Sequence, residues 1–246
     1  MPVSIGIDTR PDSATSWNEK GTSLFNQGKY SEALQAFDKA IELDPKFPEI
    51  WYNKGNALYS QRKYDEAIKA YDTVVELDPQ YASAWLAKGK ALNILMKYEE
   101  AIQALDNVVE LNPKDADAWS LKGSALKALN LSIMANEAFD KAIECDPNNA
   151  MAWYNKGVVL NSLGKNNEAK AAFAKAKELG YTVPRTEISA TTDTYQSGQS
   201  TKPEPKLLSE YQPKDRQTTV QSTKPEVKYI GYQPRNFVPP SNPNAF

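Results

Sequence analysis

Histidine is absent from the 246 residues, and cysteine occurs once, as Cys145. The first absence removes Ser-His and Cys-His nucleophile pairs, histidine general bases and most catalytic zinc sites together. The second removes intrachain disulfides and cysteine-rich metal sites. Long apolar runs are missing as well. Nothing approaches 18 consecutive apolar residues, and the opening MPVSIGIDTRPDSATS has no basic stretch leading into an apolar one. Excess charge is also lacking. Residues 182–246 hold 8 basic and 6 acidic residues, a net of +2, and residues 1–181 hold 21 and 25, a net of −4. Neither stretch is a polycation that would seek nucleic acid or anionic lipid on charge alone. These absences set the expectation of a non-enzymatic, cytoplasmic protein with no cofactor, no metal and no nucleic-acid or membrane partner.

What is present is repetition. WNEKGTSLF at 17–25 returns as WYNKGNALY at 51, WLAKGKALN at 85, WSLKGSALK at 119 and WYNKGVVLN at 153, a period of 34 residues. With units starting at Ala14, Pro48, Ala82, Ala116 and Ala150, position 4 is always Trp, position 8 Gly and position 11 Leu. The spacing i, i+4, i+7 puts these three on one face of a helix. A mid-helix Gly costs about 1 kcal/mol against Ala, and close approach of another backbone, here from the unit's second helix, is the expected reason. Positions 20, 24 and 27 repeat the periodicity in that second helix: Ala33, Phe37 and Ala40 in the first unit, Ala169, Phe173 and Ala176 in the last.

Punctuation agrees with helix pairs. Gly28-Lys29-Tyr30 and Gly164-Lys165 fall where a turn must separate the two helices, and Pro45, Pro79, Pro113 and Pro147 follow the second helix. Ser13, Asp115 and Asn149 are placed as N-caps. Positions 21 and 28 are apolar in the first three units, become Asn136 and Ile143 in the fourth, and end as Lys170 and Lys177. A stack of repeats needs such a polar outer face at its last unit, with Gly180 as the stop. Glu99 and Glu100 lie at a helix start, where the dipole favours them without any chemistry. Cys145 takes position 30, otherwise Leu, and reads as a small buried hydrophobe.

The pattern of Trp, Gly, Ala, aromatic, Ala and Pro resembles the tetratricopeptide repeat over residues 14–181. The resemblance implies an all-α fold, a right-handed α-solenoid of five helix-turn-helix repeats (14–47, 48–81, 82–115, 116–149 and 150–181). A flexible segment, 1–13, precedes it and a disordered tail, 182–246, follows. One departure is consistent: the family's apolar seventh position is Lys20, Lys54, Lys88, Lys122 and Lys156. Their stems are expected along the Trp face with the ammonium in water.

In proteins that resemble this one, first helices line a concave groove that binds an extended peptide or a partner's helix. Carried over by position, the lining is Asn18, Thr22 and Phe25; Tyr52, Asn53, Asn56 and Tyr59; Leu86, Lys90 and Asn93; Ser120, Ser124 and Lys127; Tyr154, Asn155 and Asn161. Amides that donate and accept, beside rigid aromatics, suit a peptide backbone. The clamp that grips a chaperone's terminal carboxylate is not expected. Its positions hold Asn18, Thr22, Asn53, Ser83 and Ala87, of which only Asn53 fits. RNA binding would need more bases than Lys90 and Lys127 along the groove.

After Gly180 the sequence turns to Thr, Ser, Gln and Pro, a composition poor in core-forming residues. Within it STKPEPKLLSEYQPK at 200–214 is echoed by STKPEVKYIGYQPR at 222–235, so that Tyr211-Gln212-Pro213 and Tyr232-Gln233-Pro234 each precede a base. Duplicated motifs of this kind act as linear binding sites whose two copies raise avidity. Two readings follow: an adaptor with a protein or peptide in its groove and a second partner on the tail, or a self-assembling protein whose tail docks in a groove of the same or a neighbouring chain.

Overall fold

The structure, a computed structural model, describes residues 12–182. The tail motif residues Tyr211, Gln212, Pro213, Tyr232, Gln233 and Pro234 lie outside the described residues. All regular structure among the described residues is helical, in five antiparallel pairs. They are α1 (Ala14–Asn26) with α2 (Tyr30–Leu43), α3 (Pro48–Ser60) with α4 (Tyr64–Leu77), α5 (Ala82–Ile94) with α6 (Tyr98–Leu111), α7 (Ala116–Ala128) with α8 (Ser132–Cys145), and α9 (Ala150–Ser162) with α10 (Asn166–Glu178).

The caps sit where the sequence puts them. Ser13, Asp115 and Asn149 accept from the backbone N–H of Ser16, Ala118 and Ala152 at 3.1, 2.8 and 2.9 Å. Each first helix ends in the same turn, in which the N–H of Lys29, Lys63, Lys97, Leu131 or Lys165 reaches back to the carbonyl of the position-11 Leu at 2.9–3.0 Å. That turn needs one left-handed residue. Gly28 and Gly164 supply it freely, but Arg62, Met96 and Asn130 hold φ of 58–61° at the equivalent places, a conformation that costs roughly 1–2 kcal/mol for a residue with a Cβ.

Pairs stack in series because each second helix is buried against the next first helix. Phe37 and Ala40 pack with Ile50 and Ala57, and the pattern recurs through Leu105, Val108 and Ala118 to Phe139, Ala142 and Ala152. First helices also touch the next first helix, whereas second helices barely meet one another, so the first helices form the inner layer.

Three expectations need correction. The position-8 glycines are approached by a side chain of the second helix and not by its backbone: a Cβ at Gly55 would stand 2.5 Å from Tyr71 Cε1, and at Gly21 2.5 Å from Phe37 Cε1. The position-7 ammoniums do not merely reach water. Lys54, Lys88, Lys122 and Lys156 lie 5.1–5.4 Å from the ring centroid of Trp51, Trp85, Trp119 and Trp153. Each also pairs at 2.5–2.7 Å with Asp38, Asp72, Asp106 or Asp140 of the preceding unit. Cys145 is only half-buried, its Sγ 3.7 Å from the Pro113 carbonyl, since position 30 sits at a helix end where Leu43 is 55% exposed.

The Trp edge is anchored as well: Nε1–H of Trp51, Trp85, Trp119 and Trp153 donates to the carbonyl of Pro45, Pro79, Pro113 and Pro147 at 2.9–3.1 Å. At the last unit the ladder stops, with Ala174 where the acid would stand and with Lys170 and Lys177 exposed. Tyr181 closes that end by stacking on Tyr154, centroids 4.5 Å apart.

Candidate functional site

The inner layer sorts the expected lining residues into two groups. The first is taken up by contacts within and between helices. Asn18 is 6% exposed and its Oδ1 accepts from Asn53 Nδ2 at 3.0 Å, while Thr22 donates to the Asn18 carbonyl. Asn93 donates to the Leu121 carbonyl at 3.2 Å, Ser124 donates to the carbonyl of buried Ser120, and Lys127 donates to Oδ1 of Asn155, itself 8% exposed. Tyr154 is buried under Tyr181, and Phe25 leans on Tyr30 at 5.4 Å. Asn161 is exposed and apart.

The second group comes together. Tyr52, Asn56, Tyr59, Leu86 and Lys90, joined by Tyr71, Ser83 and Ala87, enclose a cavity of about 410 Å³ between α3, α4 and α5. Here neighbouring tyrosines crowd: Tyr52 lies 6.0 Å from Tyr71 and 5.2 Å from Tyr81, and Tyr59 lies 5.2 Å from Tyr64. Tyr71 is fully buried, and its hydroxyl reaches Asn56 Oδ1 at 2.9 Å. Burial first, then the fields of Tyr52 and Tyr59, hold that hydroxyl well above the usual phenol range. Burial raises Tyr59 and Tyr81 as well, with Tyr64 assisting at the first, and Glu49, Tyr52 and Asp78 at the second. All three are therefore neutral hydrogen-bonding groups across the physiological range. Lys90 stands on the rim with Asp117 3.8 Å away.

Reading by position missed Tyr71, which stands at position 24 and counts as core in the other units. Its hydroxyl was the available signal, since Phe37, Phe139 and Phe173 carry none. A second recess of about 580 Å³ is lined by Asn18, Glu19, Thr22, Ser23, Asn26, Gln27 and Glu49. Glu49 holds a groove position, yet the set of amides and aromatics drawn from sequence leaves it out. Among the described residues no group of acids or cysteine could hold a metal ion, and no helix is long and apolar enough to cross a membrane.

Models of the tetratricopeptide repeat match residues 7–48, 18–82, 52–106 and 86–130, and two further ones match 116–149 and 138–171. No curated protein sequence matches the chain. Among solved structures, MamA from residue 41 onward of Desulfovibrio magneticus RS-1 is similar at 27% identity, covering 68% of this chain and 94% of that one with a TM-score of 0.65. A second MamA crystal structure aligns at 26% identity over 70% and 96%, TM-score 0.63. YrrB, a TPR protein with an unusual peptide-binding site, shares the fold at 24% identity over 76% and 95%, TM-score 0.64.

Proposed function

The chain belongs to the tetratricopeptide repeat family, and on that premise we propose a non-enzymatic scaffold or adaptor that holds a peptide segment of a partner protein against its first helices. The tail motifs at 200–214 and 222–235 serve as a second binding element. One observation carries the reading: the tyrosine-lined cavity between α3, α4 and α5, where the inner layer keeps a recess that no helix of the stack fills.

Elsewhere on that layer several polar side chains spend their hydrogen bonds on neighbouring helices, as Asn18 with Asn53 and Lys127 with Asn155 do. At the cavity, rigid aromatic walls and a few fixed polar groups remain, the usual composition of a site that orients a ligand. The fold shared with YrrB is one on which a peptide-binding site occurs. Absence of histidine, together with the balanced charge, supports binding in place of catalysis or nucleic-acid contact.

Selection of peptides from a random library on the full chain tests this. Selected peptides should lose at least tenfold in affinity when Tyr59→Ala opens one wall of the cavity. Binders indifferent to Tyr59 and Leu86, or no binders at all, would refute the assignment.

A further inference from the structure

Two recesses open on the inner layer, and their chemistries differ. One is walled by Tyr52, Tyr59, Tyr71 and Leu86; the other carries the carboxylates of Glu19 and Glu49 and no base. Glu49 and Tyr52 are three residues apart on α3, hence on one face, so a single extended segment can enter both. Resting on the groove reading above, we infer that the pair of recesses takes the Tyr-Gln-Pro-Lys/Arg sequence that the chain itself carries at 211–214 and 232–235.

The chemistry of each residue assigns its place. Proline brings a rigid apolar ring and no N–H to satisfy, which suits an aromatic-lined slot. The base after it meets Glu19 and Glu49, exposed carboxylates with which no Lys or Arg pairs among the described residues. Lys90, on the rim of the tyrosine cavity with Asp117 3.8 Å away, offers an ammonium to the face of the motif's own Tyr. The unpaired carboxylates favour one direction, base toward Glu49 and Tyr toward Lys90.

The chain's own copies are the committed occupant for a reason of charge and supply. Residues 1–181 carry −4 and residues 182–246 carry +2, and each array is synthesised with two copies of the motif attached. Attachment substitutes a local concentration for the free one.

The test uses the full chain and a labelled synthetic peptide of residues 222–235, followed by anisotropy. In one variant all native copies are disabled by Tyr211→Ala, Pro213→Ala, Tyr232→Ala and Pro234→Ala. The peptide should bind this variant at least tenfold more tightly than it binds the unaltered chain, whose own motifs compete. Adding Glu49→Lys to the variant should weaken the peptide tenfold or more, and a peptide carrying Arg235→Glu should regain most of that loss. Equal affinity for variant and unaltered chain overturns the inference, as does failure of the charge swap to rescue. If library peptides bind in a Tyr59-dependent way while 222–235 does not bind, this inference falls and the groove reading stands. If neither binds, both fall.

Discussion

The outer seam and the inner lining of this stack follow opposite rules. Along the seam the same arrangement appears four times: a Lys over a Trp ring, an Asp from the preceding pair on the ammonium, and a Trp N–H on a proline carbonyl. Along the lining no two junctions agree. Asn18 meets Asn53 between the first and second pairs, Asn93 meets the Leu121 carbonyl between the third and fourth, and Lys127 meets Asn155 between the fourth and fifth. Packing one pair on the next is one problem with one solution, so the residues that solve it recur. Lining residues differ from pair to pair even where they bridge one pair to the next, and at the second and third pairs they leave a cavity.

The contrast can be broken first at the core that both regions share. Phe139 is fully buried between α7, α8 and α9, and Phe139→Ala should cost about 3–5 kcal/mol, read as a large fall in the denaturant midpoint. A survivor losing under 1 kcal/mol would mean that adjacent pairs hold together without it.

Next in size are the position-8 glycines, packed between the two helices of each pair. Gly55→Ala drives a Cβ to within 2.5 Å of a rigid tyrosine ring, whereas at Gly89 the neighbour is the branched end of Leu105 at 2.8 Å. The first should cost about 1–3 kcal/mol, and the second less, because an aliphatic side chain changes rotamer and the helix gains up to about 1 kcal/mol from Ala. Equal costs would remove rigidity of the neighbour as the reason.

The ion pairs are smaller still. Lys88 and Asp72 are 21% and 39% exposed, so a double-mutant cycle with Lys88→Met and Asp72→Ala should give a coupling of about 0.5–1 kcal/mol, weakened by salt. The same cycle at Lys122 and Asp106 should return the same number. A mismatch well outside error would contradict a uniform seam.

The lining is probed by alkali. The raised Tyr71 hydroxyl keeps its proton in the folded chain above pH 10, where an unfolded tyrosine loses it. Its contribution is therefore intact below about pH 10 and is lost as pH rises beyond, because the unfolded state then binds fewer protons. Tyr71→Phe should flatten that decline; an unchanged alkaline slope would place the proton linkage elsewhere.

Much of the fold is legible in sequence because a period of 34 residues averages out local ambiguity: Trp, Gly and Leu mark the first helix, Ser13 and Asp115 the starts, Lys170 and Lys177 the end. The seam's ion pairs were not read, since Lys54 and Asp38 belong to different units. Their common signal was present all the same: position 25 is Asp in four units and Ala174 in the fifth, where no later Lys needs it. The lining was over-read for a related reason. Position on a helix says which side a residue faces but not whether a neighbour already holds it, so Asn18, Ser120, Tyr154 and Asn155 proved buried. The left-handed Arg62 and Met96 have no sequence signal, being residues that tolerate the turn without favouring it.

The most direct measurement takes stability and peptide affinity together in two variants of the full chain, Asp72→Ala on the seam and Tyr59→Ala on the lining. A peptide selected on the unaltered chain is the probe. Asp72→Ala should lower the unfolding midpoint while affinity stays within twofold. Tyr59→Ala should change stability by no more than about 1 kcal/mol, as for a half-exposed side chain, while affinity falls at least tenfold. Parallel changes of both quantities in both variants would contradict the division of labour between seam and lining.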